Sequence, residues 1–219
     1  MNLPIFEKPR KALMTWTAVL VALLALTEAL NSGLRSIAEE RRASDFRTYL
    51  ATATDLIDQY DFPAALAQIE DAKRKGPNAP EPYAMAGHVR YQLKQWNQAI
   101  TEYQGAITRG SREEGVFLNV VWALIELNRY EEAAALGIKT INAGVSLPAL
   151  PRYVAEAYFR DAKTAEAIPY YEKALKGYPN DLYLLDHLCQ SYKAAGQLEK
   201  MKDIQTRITD IEASLNTQR

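Results

Sequence analysis

The amino-acid sequence predicts an all-α solenoid of about five helical hairpins carried behind one N-terminal transmembrane helix. Three observations predict it. The chain returns to itself every 34 residues through five consecutive units with no insertion, and a fixed period of that length marks a stacked array of supersecondary units. Small residues recur at the same places in each unit, where the two helices of a hairpin must cross closely. Ahead of the array, residues 12–26 read ALMTWTAVLVALLAL, fifteen positions without a charge.

The apolar element comes first in the chain. Crossing the hydrocarbon core takes about 20 residues in a helix. Residues 12–30 reach that length if Glu28 extends its carboxylate towards the headgroups while Ala29 and Leu30 complete the run. Trp16 sits near one interface, and Ala18, Ala22 and Ala25 are small enough to let another membrane helix approach. Lys8, Arg10 and Lys11 precede the run, so the positive-inside rule holds segment 1–11 in the cytoplasm and sends everything after Leu30 across. The flank beyond, with Arg35, Glu39, Glu40, Arg41 and Arg42, is mixed in sign. A cleaved secretory signal is the alternative, because a basic segment ahead of a short apolar core describes one equally. Cleavage after Ala29 would leave Thr27 where such sites prefer alanine, so an uncleaved anchor is preferred. Either way the repeats leave the cytoplasm, for the periplasm if the cell is bacterial.

Residues 31–45 form a linker. Asn31-Ser32-Gly33 predicts a brief break, and the charged, alanine-bearing run after it predicts a helical stalk. At about 1.5 Å per residue, such a stalk keeps the repeats within a couple of nanometres of the bilayer.

The repeat units begin at Phe46, Pro80, Glu114, Pro148 and Leu182 and fill residues 46–215, leaving 216–219 as a tail. Their eighth positions are Ala53, Gly87, Val121, Ala155 and Cys189; their twentieth are Ala65, Ala99, Ala133, Ala167 and Met201. Pro63 falls where a second helix should start, at no hydrogen-bonding cost. Gly76-Pro77, Gly110 and Tyr178-Pro179 punctuate the joins between units, and Pro169 predicts a slight bend in its helix. Met201, Ile204, Ile208, Ile211 and Leu215 space an amphipathic helix that closes the open end of the stack. These residues, and above all NQAITEYQGAI at 97–107 and AEAIPYYEKALKGYPN at 165–180, resemble the tetratricopeptide repeat family over about three quarters of the chain. The first and third units depart from the family pattern, with Ile69 and Gly137 where an aromatic is usual. The resemblance implies a right-handed solenoid with one continuous core.

It also implies a site. In this family the first helix of each unit lines a concave groove through its second, fifth, ninth, twelfth and thirteenth positions. Carried over, those positions nominate His88 and Tyr91, then Leu118, Trp122 and Glu126, then Arg152, Glu156, Phe159 and Arg160, and finally Tyr183. Aromatic and arginine side chains dominate binding hot spots because they bury area and keep a polar handle. The dicarboxylate clamp of some relatives is excluded, since Leu50 and Thr54 stand where it needs Lys and Asn.

Composition excludes much else. The 26 basic and 27 acidic side chains nearly cancel, so no nucleic-acid partner is expected. One cysteine, Cys189, at a crowded position reads as an inert buried thiol. Two histidines, His88 and His187, three units apart, offer no pair for general acid–base work or a metal, so neither enzyme activity, metal nor cofactor is expected. The resulting expectation is a membrane-tethered scaffold that binds other proteins, subunits of a membrane complex, through its groove. Two alternatives stay open: a soluble protein that stacks glycan or exported polysaccharide on Tyr91, Trp122 and Tyr183, and an accessory subunit that docks through its transmembrane helix.

Overall fold

The computed structural model describes residues 8–144 and 147–217, with side chains from 19 to 216 within those ranges. Among the described residues every regular element is a helix: α1 (Lys8–Asp58), α2 (Phe62–Lys75), α3 (Glu81–Gln92), α4 (Trp96–Thr108), α5 (Glu114–Glu126), α6 (Tyr130–Asn142), α7 (Leu150–Arg160), α8 (Thr164–Gly177), α9 (Leu182–Ala194) and α10 (Leu198–Thr217). The C-terminal quarter of α1 pairs with α2, and the remaining helices pair in sequence, giving five hairpins. First helices also touch one another, α3 with α5, α5 with α7 and α7 with α9, whereas second helices show no comparable contact among the described residues. A stack that is closer on one side than the other must curve. The first helices therefore form the inner, concave layer.

Each hairpin turns in the same way. The fifteenth residue of every unit, Tyr60, Lys94, Asn128, Ala162 and Gly196, has φ between 56° and 71°. Its N–H bonds to the carbonyl three residues back, and the next N–H to the carbonyl five back, as in Lys94 to Tyr91 and Gln95 to Arg90. These are the two bonds of a Schellman closure, which satisfies the last carbonyls of the first helix. Four of the five turns place a side chain in left-handed backbone, where only glycine sits without steric cost. Pro63 falls in the first turn of α2, and Asp61 caps that helix by accepting from the Ala64 N–H at 3.2 Å.

The break expected at Asn31-Ser32-Gly33 does not exist: α1 runs for 51 residues from Lys8 to Asp58. The Ser32 hydroxyl, instead of diverting the chain, donates back to the Ala29 carbonyl at 2.8 Å, inside the helix. One glycine costs a helix about 1 kcal/mol, too little to interrupt a helix already propagating on both sides. Residues 19–44 are exposed along their whole length, and the first tertiary ties are Arg42 Nε to the Lys75 carbonyl at 2.5 Å and Asp45 to Lys75 at 2.7 Å. The exposed apolar stretch is long and apolar enough to cross a membrane. Ala22, Ala25 and Glu28 touch no repeat; Trp16 and Ala18 lie outside the residues whose side chains are described.

The core is three abutting clusters rather than the single one expected. Ile69, Ala53, Ala86 and Val89 hold the first two units, a larger cluster from Ala84 to Ala157 holds the middle, and Tyr171 with Leu184, Leu185 and Leu188 holds the end. Tyr158 and Tyr170 pack against both later clusters and join them. Segmentation follows from the architecture, since each hairpin meets only its neighbours. The eighth positions are buried as expected, and Gly87 is obligatory: a Cβ there would lie 2.5 Å from the fully buried Tyr103 ring. In the third unit, where Gly137 replaces the aromatic, Val154 and Leu150 of the next helix occupy the vacated volume.

Two substitutions of opposite sign test this account. Gly87→Ala is expected to cost about 1–3 kcal/mol by overpacking against Tyr103. Ala162→Gly is expected to stabilise by about 1 kcal/mol by relieving left-handed strain. Urea unfolding midpoints should move down for the first and up for the second.

Candidate partner-binding groove

The inner layer has two unlike halves. At the N-terminal half, α1, α3 and α5 frame an open cleft of 340 Å3 walled by Ile57, Met85, His88 and Val116. Its floor is Tyr103, 1% exposed, whose hydroxyl accepts from Asn119 Nδ2 at 2.9 Å. Burial pushes the Tyr103 phenol up to about 12, so it stays a neutral hydrogen-bonding group. Glu81 and Glu113 stand exposed at the mouth.

The C-terminal half is filled by its own side chains. Glu156, 3% exposed, receives Arg160 Nε at 2.7 Å on one oxygen, and the hydroxyls of Tyr183 at 2.7 Å and Tyr171 at 3.4 Å on the other. Arg160 also approaches Glu126 at 3.4 Å and lies 5.1 Å over the Trp122 ring, which meets Tyr153 edge-on at 5.7 Å. Arg152 lies 4.9 Å over Tyr183 and 3.3 Å from Asp181, while Asp181 caps α9 by accepting from the Leu184 N–H. Rings of Phe159 and Tyr183 flank His187 at 4.6 and 4.0 Å. A buried carboxylate needs this many donors, because one left unpaired in a low-dielectric site costs far more than an exposed one.

The nominated residues thus separate. Trp122, Glu126, Arg152, Glu156, Phe159, Arg160 and Tyr183 come together in one network at the C-terminal half. His88 lines the open cleft, and Tyr91 leans edge-on against Trp96 at 5.1 Å, its phenol pushed up to about 12 by burial with Tyr153 and Glu126 adding to it. Leu118 is half-buried against the central core cluster. Glu156 is an internal brace rather than an exposed contact, a correction to its place among the groove contacts: its position faces the groove, but its carboxylate is covered by the rings around it. The rings of Tyr91, Trp122 and Tyr183, the would-be stacking platforms, already have intramolecular partners.

Sequence reasoning missed the sixth positions of the first helices. Met85 and Asn119 line the cleft, and Tyr153 and His187 belong to the network. Helical spacing held the signal, since the second, sixth, ninth and thirteenth positions are three or four apart and share one face. Cys189 is buried, with its thiol pushed up by burial, as an inert side chain should be. Among the described residues no His, Cys, Asp and Glu group is arranged to hold a metal.

With this geometry in view, residues 154–181 match the tetratricopeptide repeat family. No curated protein sequence matches the chain. Among solved structures it is similar to MamA from Desulfovibrio magneticus RS-1, at 16% identity over 78% of this chain and 96% of that one, with a TM-score of 0.69. It is similar to YrrB, described as a TPR protein with an unusual peptide-binding site, at 16% identity over 75% and 85%, with a TM-score of 0.64. It is also similar to Pseudomonas aeruginosa pilF, at 18% identity over 77% of each chain, with a TM-score of 0.62. At these identities the likeness is one of fold.

The network makes two measurable claims. Glu156→Ala strands Arg160 and two hydroxyls, and is expected to cost about 2–3 kcal/mol, read as a lower urea midpoint at unchanged slope. The raised phenols of Tyr91, Tyr103 and Tyr183, each about 12 when folded, mean that the unfolded chain releases those protons first. Their stabilising effect is complete below pH 10 and is lost as pH rises from 10 towards 12. Tyrosinate absorbance should therefore appear together with loss of helical circular dichroism in that window.

Proposed function

We propose that this chain, whose residues 154–181 match the tetratricopeptide repeat family, serves as a membrane-tethered scaffold that assembles or stabilises a membrane-bound multiprotein complex. One observation carries this reading: α1 continues without a joint from its exposed apolar stretch into the first hairpin. A groove built on a rigid extension of a membrane helix meets partners at a fixed height, and those within reach are proteins of the same membrane. The basic residues Lys8, Arg10 and Lys11 ahead of that stretch favour a cytoplasmic N-terminus, with the repeats on the opposite side, periplasmic in a bacterium. The similarity to a structure with a peptide-binding site supports peptide as the occupant of the concave face. Glycan stacking is supported less, because the rings it requires are engaged within the chain.

A second reading, docking through the anchor itself, draws support from the bare flanks of α1, where Ala22, Ala25, Leu34 and Ile37 are all exposed. One experiment separates the two. A photo-crosslinking residue at Thr54, in the cleft, is expected to capture membrane subunits in native membranes, and one at Ala135, on a second helix, is not. Capture should survive exchange of residues 12–30 for an unrelated span. Its loss on that exchange would assign the interaction to the anchor instead.

A further inference from the structure

We propose that the partner segment held by the N-terminal cleft is a cationic peptide, its lysine or arginine heads at Glu81 and Glu113 and its backbone over Tyr103. This deepens the scaffold reading and rests on it. The two halves of the inner layer differ in how much of their chemistry is already used. In the C-terminal half three acids are taken by arginines, Glu126 and Glu156 by Arg160 and Asp181 by Arg152, and Asp186 accepts from Gln190. In the cleft, Glu81 and Glu113 join no ion pair among the described residues, and no lysine or arginine lines the walls. An unneutralised acidic mouth over a hollow favours positive charge and disfavours negative.

The interior fits the rest of such a segment. Ile57, Met85 and Val116 give apolar walls along which the methylene stems of lysine or arginine, or a neighbouring leucine, can lie. At 340 Å3 the cleft is at the small end of ligand-sized pockets, enough for about two side chains and the backbone between them. Below them, Tyr103 is almost wholly buried; its hydroxyl oxygen already accepts from Asn119, while its own hydrogen has no acceptor among the described residues. A phenol that accepts one hydrogen bond can still donate its own hydrogen to an acceptor that reaches it. A peptide carbonyl is such an acceptor without regard to sequence, so Tyr103 would hold the backbone and the two glutamates would select the charge. The filled C-terminal half contributes rigidity, which lowers the ordering cost of binding.

The test uses the full chain in neutral phosphatidylcholine nanodiscs and a short fluorescent peptide alternating lysine and leucine, beside its glutamate–leucine counterpart, read by anisotropy. The lysine peptide is expected to bind, the glutamate peptide not, with affinity falling as salt rises. The double variant Glu81→Lys, Glu113→Lys should weaken binding about tenfold or more; because both sites are exposed it should keep the parent's helical circular dichroism, its melt lowered only by placing two lysines at helix N-termini. Tyr103→Phe should weaken it several-fold, whereas Arg160→Ala, in the other half, should leave it unchanged. Equal binding of both peptides, binding of neither, or indifference to the double variant overturns the proposal. Those results would leave the scaffold reading standing if the Thr54 crosslinks are still formed; absence of the crosslinks removes the reading itself.

Discussion

The left-handed residue at the fifteenth position of each unit is the constraint on which the rest of this structure depends. It ends each first helix, satisfies its final carbonyls and aims the second helix back along the first. Because the same two hydrogen bonds recur at every turn, each unit repeats one hairpin geometry, and stacking such units side by side gives a curved array. The eighth-position residues become small because the turn brings the two backbones close there. Tyr103 lies under Gly87 for that reason, and the groove floor is set by that contact.

The joins between units are less uniform. Gly110 and Gly144 use positive φ, whereas Gly76 (φ −128°, ψ 70°) and Tyr178 (φ −129°, ψ 66°) lie outside the helical region ahead of Pro77 and Pro179, since a following proline disfavours helical backbone. Arginines reinforce them across the join: Arg109 donates to the Pro77 carbonyl at 2.8 Å while lying over Tyr83, and Arg207 donates to the Pro179 carbonyl. Turns inside hairpins thus fix the unit, and side chains fix how units meet. The inner layer shows the same economy in its second half, where one buried carboxylate organises two hydroxyls and a guanidinium drawn from three helices.

Much of the fold was legible because periodicity is a property of sequence alone. The 34-residue phase, the small eighth position, Pro63 at a helix start and the amphipathic closing helix all express helix packing directly in residue type. The fifteenth-position turn was legible only at Asn128 and Gly196, since Tyr60, Lys94 and Ala162 carry no preference for left-handed backbone and are held there by the two hydrogen bonds of the turn. The stalk is helical as expected, but the break ahead of it was misjudged because a single glycine reads as punctuation, although helix cooperativity outweighs it. At the site, residue type located the aromatic and charged positions but not whether they were spent on one another. Trp122 and Arg160 were each visible as a hot-spot residue type; that they meet depends on two helices coming together.

The unbroken α1 has one more consequence, concerning phase. In the proposed membrane-anchored arrangement, a flexible tether would let the groove face any direction, but a continuous helix would tie its compass bearing in the membrane plane to the number of residues between bilayer and first repeat. One inserted residue in the exposed stretch would swing the groove by about 100° and lift it about 1.5 Å, while seven would lift it about 10 Å and return it to within about 20° of its original bearing. In that arrangement the length of the bare helix would be an address as well as a distance, setting which neighbour in the membrane the groove looks at.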